Sequence, residues 1–405
     1  MSKKLRKVCL LITEKIYKFQ RFSEILENCP SYLNLSIKEK SLVNMTILTM
    51  LRRNGEIEAI IERFLKKPLN SKQYVIKNTL RLATTQIVFL NVADHSVVNG
   101  YVELVKEIRF GYEKLVNGIL RNICRNKPNL LKETNTLKNL PSWIKFGWEK
   151  SLNHDIVKNI SEAITNIPKT DIHIKKKSLI KEKWQKDLGG EIIFDNVLRL
   201  NKTEKIENLK GYETGDWWVQ NAAASIPVKI IEKIFYESDN ISVLEIGSSP
   251  GGKTIQLLDA GFNVTALEKS KNRVAILEKN LQRVNYQCRI YQSDIDKFKS
   301  KNNFDCCLLD VSCSSSGIVG RKPEILIFQK SIRDLVINQK TALRKASKLI
   351  KKNGFLIYSV CSLIFEEGEN QIENFLKRNR NFRRIFVCGF FMICTTAMVF
   401  LFFKN

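Results

Sequence analysis

The sequence predicts a multidomain protein in which an all-α N-terminal domain precedes an α/β domain with an open parallel sheet. In residues 1–127, apolar residues recur at the three- and four-residue spacing of a helix that packs one face on a core. From Gly211 onward, short apolar runs alternate with amphipathic stretches, which is typical of strands and helices in a parallel sheet. The length of 405 residues is too great for one ordinary core.

The domain limits follow from changes in these patterns. A polar linker is predicted to begin at Lys127-Pro128, and a small strand–helix–strand unit follows, with strands at Asp171–Ile174 and Val197–Leu200. We therefore predict four parts: a helical domain at 1–127, a small α+β linker subdomain at 140–210, the α/β domain at 211–382 and an atypical apolar C-terminus at 383–405.

The elements of the α/β domain can be placed individually. Strands are expected near 242–246, 264–268, 288–292, 305–310 and 354–360. Helices are expected near 222–235, 253–259, 270–282, 330–351 and 367–378. Folds of this kind bind ligands in the crevice outside the carboxyl ends of the strands.

A glycine-rich turn follows the first of these strands. Gly247, Gly251 and Gly252 have the spacing G-x-x-x-G-G, which is neither the dinucleotide fingerprint nor the phosphate loop. The next strand ends in Glu268, about 20 residues on, where a nucleoside-binding unit places an acid against the ribose hydroxyls. The pair favours a nucleoside ligand such as S-adenosylmethionine over NAD.

Further polar residues and two cysteines follow the later strands. Asp294 and Asp310 lie at strand ends, while Cys313 and Cys361 lie just past theirs, in loops expected to face one crevice. Thiolate attack at C6 of a pyrimidine makes the inert C5 nucleophilic, and a second group must then remove the C5 proton. A nucleobase reached in this way is usually flipped out or single-stranded. The adjacent Cys306 and Cys307 are expected to be core residues.

The composition limits the function classes. A net charge of +26 favours a polyanionic partner, with RNA or DNA the obvious candidates. The ten cysteines include no C-x-x-C pair, which argues against a zinc site and for a reducing cytosol. Only three histidines are present, so we expect no metal and no histidine-based catalysis.

The helical part resembles the NusB-like RNA-binding domain. The stretches that carry this resemblance are Leu51-Arg-Arg-Asn-Gly-Glu56, Arg63-Phe-Leu-Lys-Lys-Pro-Leu69, Leu80-Arg-Leu-Ala83 with Gln86, and Val116-Asn-Gly-Ile-Leu-Arg121.

The remainder, to about Phe382, resembles the Sun family of RNA (cytosine-5)-methyltransferases, in particular the bacterial 16S ribosomal RNA member. The stretches that carry this resemblance are Val219-Gln-Asn221, Leu244 to Thr254, Leu308-Leu-Asp-Val-Ser-Cys313, Gly317-Ile-Val-Gly-Arg-Lys-Pro-Glu324 and Tyr358 to Ser362 with Glu366-Glu367.

The resemblance implies roles for particular residues. Cys361 would be the nucleophile, Cys313 would assist release, and Asp310 and Lys253 would face the target base. The residues implied to line the S-adenosylmethionine site are Gly247, Ser248, Ser249, Pro250, Gly251, Gly252, Lys253, Glu268, Asp294 and Asp310. The implied partner is 16S ribosomal RNA, free or early in assembly, and we expect a cytoplasmic monomer.

Two alternatives remain open. The family's Asp-Ala-Pro-Cys and Thr-Cys-Ser appear here as Asp310-Val-Ser-Cys313 and Val360-Cys-Ser362, and the ribose acid is glutamate in place of aspartate. These departures motivate a catalytically impaired RNA-binding or assembly factor of the same fold. A DNA (cytosine-5)-methyltransferase would instead carry a proline before its cysteine in the loop after the fourth strand.

The C-terminus departs furthest from the family. Residues 385–403 are uncharged for 19 positions, almost enough to span a bilayer. We expect this stretch to supply one or two strands of the sheet, with a membrane anchor as the less favoured interpretation.

Overall fold

The structure, a computed structural model, describes residues 1–18, 21–201, 205–392 and 395–404. The chain forms two compact units. One comprises Met1–Asn166 with the short segment Val319–Gln329, and the other comprises Ile167–Ile318 with Lys330–Asn405.

The first unit is helical, as predicted. Four of the apolar residues that recur at helical spacing are fully buried in its core, namely Ile76, Leu80, Ala83 and Ile87. Its α-helices in the described ranges are α1 (Lys3–Ile16), α2 (Phe22–Glu27), α3 (Pro30–Leu33), α4 (Ile37–Arg52), α5 (Asn54–Phe64), α6 (Tyr74–Thr84), α7 (Asp94–Ile108), α8 (Glu113–Lys132), α9 (Ser142–Glu149) and α10 (His154–Ile164).

Helix α8 corrects the predicted start of the linker. It continues through Pro128 and ends at Lys132 instead of stopping at Lys127. A proline inside a helix removes one backbone hydrogen bond and costs about 3 kcal/mol. Leu130, in the turn that follows the proline, is buried in the helical core, and this packing offsets the cost. The helical unit also includes α9 and α10, which the predicted limits had assigned to the next part of the chain.

The segment Val319–Gln329 belongs to the helical unit although its neighbours in sequence belong to the other. Within the unit, Arg52 Nε at the end of α4 donates to the Gly320 carbonyl over 3.0 Å. Ile325 and Leu326 are buried, and Ile327 packs against the helical core. The segment is therefore held by both a buried hydrogen bond and apolar contacts.

The second unit begins with a small antiparallel sheet. Its strands are β1 (Asp171–Ile174), β2 (Gly190–Phe194), β3 (Val197–Leu200) and β4 (Trp217–Val219), in the order β2-β3-β1-β4, with α11 (Lys181–Leu188) before β2. Strands β1 and β3 were predicted, whereas β2 and β4 were not. The buried Asp171 accepts hydrogen bonds from Arg199 and from the backbone N–H of Ala222. It therefore fixes the start of the helix that begins at Ala222.

The larger sheet confirms the predicted α/β architecture. Its strands are β5 (Ser242–Ile246), β6 (Asn263–Glu268), β7 (Arg289–Gln292), β8 (Phe304–Asp310), β9 (Ile350–Val360), β10 (Phe382–Met392) and β11 (Thr395–Lys404). The accompanying helices are α12 (Ala222–Ile234), α13 (Gly252–Asp259), α14 (Lys271–Arg283), α15 (Ile332–Ala346) and α16 (Glu369–Arg378). The order is β10-β11-β9-β8-β5-β6-β7, and all the strands from β9 to β7 in this order are parallel.

The order reverses on the two sides of β5, which places a topological switch point there. The chain proceeds outward from β5 through β6 and β7, and then returns to the other side of β5 for β8 and β9. A crevice opens at such a point outside the carboxyl ends of the strands. This is the edge to which the glycine turn, Glu268, Asp310 and both cysteine loops belong.

The apolar C-terminus forms sheet strands. Strand β11 pairs antiparallel with β9, and β10 pairs antiparallel with β11. The predicted extension of the sheet is confirmed for the described residues. No helix in the described ranges is both long and apolar enough to cross a membrane.

Candidate functional site

The turn between β5 and α13 depends on two glycines with left-handed backbones. Gly247 has φ +85° and Gly251 has φ +110°, values that side-chain-bearing residues rarely adopt. A Cβ at Gly247 would lie 2.3 Å from the Asp310 carbonyl oxygen, so this turn can approach the end of β8 only without a side chain. The buried Ser248 and Ser249 complete the turn. Helix α13 begins immediately after it.

Glu268 ends β6 and is 4% exposed. One carboxylate oxygen accepts from the backbone N–H of Ser270 at 3.1 Å. The other lies 3.4 Å from the Ser249 N–H and 3.4 Å from Arg273 Nε. The acid is thus joined to the glycine turn as the sequence pattern suggested. Each carboxylate oxygen has two lone pairs, which leaves acceptor capacity for a ligand's hydroxyl groups.

Asp294 follows β7 beside Glu268. The backbone N–H of Ser293 donates to the Glu268 carbonyl over 3.1 Å, so the two predicted acids belong to adjacent strand ends. The Asp294 carboxylate lies 2.7 Å from Lys269 Nζ. The hydrogen bond from Lys269 is the main reason why the pKa of Asp294 is lowered.

Lys253 and Asp310 form an ion pair at the centre of the edge. Lys253 Nζ lies 2.6 Å from Asp310 Oδ2. Burial alone would lower the pKa of Lys253, but attraction to Asp310, followed by smaller contributions from Glu245 and Cys361, raises it above its ordinary value. Lys253 therefore carries a fixed positive charge next to the cysteines.

The structure brings the two predicted cysteines together. We call residues 311–318 the first cysteine loop and residues 361–364 the second cysteine loop. They follow β8 and β9, which are adjacent parallel strands, so both loops leave the same edge of the sheet. Cys313 Sγ lies 3.3 Å from Cys361 Sγ. Gly317 N–H donates to the Cys361 carbonyl over 3.0 Å, and Lys330 Nζ donates to the Cys313 carbonyl over 3.1 Å.

The two thiols differ in acidity. The hydrogen bond from Cys313 lowers the pKa of Cys361, and Ser315 and Lys253 act in the same direction. The same bond, together with burial, raises the pKa of Cys313 well above its ordinary value. The arrangement therefore favours a thiolate at Cys361 and a protonated thiol at Cys313. Cys306 and Cys307 are fully buried in β8, as predicted for core residues.

Two buried acids near these residues had no role in the sequence-based prediction. Glu245 in β5 accepts from Thr254 Oγ1 at 2.5 Å, and burial raises its pKa to about 8. Glu367 is fully buried, and its carboxylate accepts hydrogen bonds from both cysteine loops. Glu367 belongs to the pair Glu366-Glu367 that helps to carry the family resemblance, but the resemblance was not used to assign it a role.

Comparison with known families decides the class of protein. Residues 234–389 match the family model described as 16S rRNA methyltransferase RsmB/F, and residues 3–125 match the model of the NusB family. The chain is therefore similar to the RsmB/F methyltransferases over its α/β domain and to the NusB family over its helical region. It is thus an S-adenosylmethionine-dependent rRNA methyltransferase with a NusB-type helical region, which confirms the family resemblance and the cofactor predicted from the sequence.

Curated RsmB-type proteins align with this chain over most of its length. Ribosomal RNA small subunit methyltransferase B of Cronobacter sakazakii is 25% identical over 386 residues, which cover 91% of this chain and 88% of the relative. The protein of the same name from Yersinia pestis is 26% identical over 363 residues, with 85% and 84% covered.

Two solved structures share the fold of this chain. The crystal structure of PH0851 superposes with a TM-score of 0.74 at 18% identity and covers 99% of this chain and 98% of its own. NSun6 from Pyrococcus horikoshii, solved with SFG, has a TM-score of 0.57 at 15% identity and covers 66% and 99%.

Proposed function

We propose that this protein transfers a methyl group from S-adenosylmethionine to C5 of a cytosine in 16S rRNA through a covalent adduct with Cys361. The observation that supports this most strongly is the 3.3 Å separation of the Cys313 and Cys361 sulfurs at the ends of adjacent strands. A structural cysteine needs no partner thiol, whereas C5 methylation needs a nucleophile and a second group for release of the product.

The chemistry assigns different roles to the two sulfurs. The Cys361 thiolate attacks C6, which forms a C6–S bond and makes C5 nucleophilic. C5 then bonds to the methyl carbon of the sulfonium, and S-adenosylhomocysteine leaves. A base then takes the proton from C5, the C5–C6 double bond forms again as the C6–S bond breaks, and Cys361 leaves as the thiolate. In this scheme Cys313 assists that release, consistent with its position against Cys361.

Lys253 and Asp310 are proposed to face the target base. Their 2.6 Å ion pair fixes a positive charge and an acceptor close to the thiols. The raised pKa of Lys253 keeps it protonated, and its charge favours the Cys361 thiolate over the thiol. Asp310 lies at the same edge of the sheet as the glycine turn, because Gly247 packs closely against the Asp310 carbonyl.

The residues proposed to hold S-adenosylmethionine are those around the glycine turn. Glu268 would accept from the ribose hydroxyls, and Asp294 would lie beside it. The turn from Gly247 to Lys253 would admit the methionine end, because glycine backbone leaves room for a ligand. The free acceptor capacity of Glu268 and its connection to Ser249 fit this cofactor.

The proposed partner is 16S rRNA, free or in an early assembly state. The net charge of +26 suits a polyanion, and the NusB-type region offers a second place for RNA contacts. We further propose that the protein acts as a cytoplasmic monomer.

Single cysteine substitutions test the proposal. With labelled RNA and S-adenosylmethionine, Cys361→Ala should form neither product nor adduct, because the nucleophile is absent. Cys313→Ala should still attack and transfer the methyl group, and then stall with RNA attached through Cys361. A denaturing gel should show a protein-linked RNA band for Cys313→Ala and none for Cys361→Ala.

The control is Cys288→Ala, which removes a partly buried thiol outside the two cysteine loops and should leave turnover unchanged. The reverse gel pattern would place the nucleophile on Cys313 and contradict the proposed chemistry. Absence of an adduct in both variants together with an inactive natural protein would instead favour the non-catalytic RNA-binding or assembly factor.

A further inference from the structure

We propose that Glu367 is a positioning residue that holds Cys361 in place for attack on the base and sets its spacing from Cys313. Its side chain is fully buried, and its carboxylate is the shared acceptor for both cysteine loops. This inference rests on the proposed function, because the spacing matters only if both thiols take part in one reaction.

The donors to the Glu367 carboxylate come from three elements. Oε1 accepts from the Ser314 backbone N–H at 2.8 Å and from Gln339 Nε2 at 2.9 Å. Oε2 accepts from the Ser314 hydroxyl at 2.5 Å and from the Ser362 hydroxyl at 2.6 Å. A carboxylate has about four lone-pair directions, so these four donors use its full capacity. The group cannot move toward one loop without weakening its bonds to the other.

The positions of the donors in the sequence explain why the thiols are affected. Ser314 directly follows Cys313, and Ser362 directly follows Cys361. Each hydrogen bond therefore acts one residue away from a sulfur. Gln339 in α15 also donates to the Ser312 carbonyl over 3.0 Å, so the backbone is fixed on both sides of Cys313.

Glu367 is itself fixed to the sheet. The Tyr358 hydroxyl in β9 donates to the Glu367 carbonyl over 2.7 Å, and Tyr358 is fully buried. Strand β9 ends at Val360, directly before Cys361. Glu367 thus connects the first cysteine loop to the strand that precedes the nucleophile. The 3.3 Å separation of the sulfurs depends on this connection.

The proposal predicts a distinct order among substitutions of Glu367. Glu367→Gln keeps the reach of the side chain, since its oxygen can accept from Ser314 and Gln339 while its amide group donates to the serine hydroxyls. Glu367→Asp keeps the charge but is one methylene too short to reach both loops. Glu367→Ala removes the shared acceptor. A displacement of 1 Å in a reacting group can cost about 100-fold in rate, so we expect a large loss for Ala, an intermediate loss for Asp and a small one for Gln.

The decisive measurement uses these substitutions in the Cys313→Ala background of the full-length protein. Under single-turnover conditions with saturating S-adenosylmethionine, the rate at which the RNA-linked band appears on a denaturing gel reports attack by Cys361. Adding Glu367→Ala should slow this rate by at least about 10-fold, with affinity for S-adenosylhomocysteine unchanged by calorimetry. The matched control is Glu369→Gln at the start of α16, two residues after Glu367, whose carboxylate pairs with Arg384 and which should leave the rate unchanged.

The outcomes separate this proposal from the one on which it rests. If Cys313→Ala alone gives no adduct, the proposed chemistry fails and the positioning role fails with it. If Cys313→Ala gives the adduct and Glu367→Ala leaves its rate unchanged below the melting temperature, only the positioning role is overturned. If Glu367→Ala does not fold, the comparison of Asp with Gln decides, and equal rates for the two would overturn the proposal.

Discussion

His173 in β1 is a fully buried imidazole that stacks on Trp218, with 5.5 Å between the ring centroids. Neither ring nitrogen has a hydrogen-bond partner among the described residues. Burial is the main reason why the pKa of His173 falls from 6.5 to about 3. His173 lies directly opposite Trp218 in the paired strands β1 and β4, which is the position of a structural residue.

This residue predicts a loss of stability in mild acid. The native imidazole stays neutral down to about pH 3, whereas the unfolded chain binds a proton below about pH 6.5. Unfolding therefore takes up a proton in this range, and the free energy of unfolding should fall by up to about 1.4 kcal/mol per pH unit as the pH drops below 6.5. Denaturant titrations at pH 7.5, 6.5 and 5.5 measure the slope.

His173→Phe is the informative variant for this prediction, because it keeps an aromatic ring and removes the titrating group. It should flatten the dependence between pH 6.5 and 5.5. The matched control His154→Phe changes an exposed histidine at the start of α10 and should leave the dependence as it is. Equal slopes in the natural protein and His173→Phe would contradict the prediction.

At the scale of elements, the glycine turn, β5, β6 and α13 together make the proposed cofactor site. The turn is possible because Gly247 and Gly251 adopt left-handed backbones, and the acid at the end of β6 closes onto the turn through Ser249. Neighbouring parallel strands bring their carboxyl ends to one edge, so elements far apart in sequence converge there.

Replacing Glu268 tests this arrangement of elements. Glu268→Ala removes a charged acceptor, a loss typically of about 1.5–3 kcal/mol, and should weaken binding of S-adenosylhomocysteine by roughly 10–100-fold. Isothermal titration calorimetry measures the affinity. Glu278→Ala in α14 removes an exposed carboxylate from the adjoining helix and should bind normally. Unchanged affinity in Glu268→Ala would remove this residue from the cofactor site.

At the scale of the whole molecule, the segment Val319–Gln329 makes the helical unit unsuitable for simple truncation. Deletion of residues 1–127 would cut α8, which runs to Lys132, and would expose Ile325 and Leu326 by removing the core that covers them. The deleted protein should therefore melt at a lower temperature. RNA binding is better tested in the full-length chain.

Binding to a 16S rRNA fragment should weaken steeply with salt if the positive charge contributes through counterion release. Each phosphate contact to single-stranded RNA adds about −0.7 to the slope of log K against log[salt]. The double variant Lys66→Gln/Lys67→Gln removes two exposed charges of the helical unit and should make the slope less negative by about 1.4 if both contact phosphates. Glu62→Gln nearby is the control that should not reduce the slope. Salt-independent binding by the natural protein would show that the charge of +26 is compositional.

The sequence by itself determined the fold class and the positions of the main elements. Each of the five predicted parallel strands overlaps an observed one, from Ser242–Ile246 to Ile350–Val360, because the apolar period of a buried strand is a local property of the chain. The glycine turn and the cysteines that follow strand ends were also predicted from local sequence. Glycine marks such a turn because its backbone freedom is needed where a turn meets a ligand.

Only the tertiary structure decided the features that depend on residues distant in sequence. Local propensity placed a boundary at Pro128, but the burial of Leu130 keeps α8 helical to Lys132. The 3.3 Å separation of Cys313 and Cys361 follows from the adjacency of β8 and β9, which no local pattern encodes. The sequence assigned no role to Glu367, because its four donors are contributed by residues up to 53 positions away. Periodicity reports which face of an element is buried, whereas the partners of a buried polar group are set by how the elements pack.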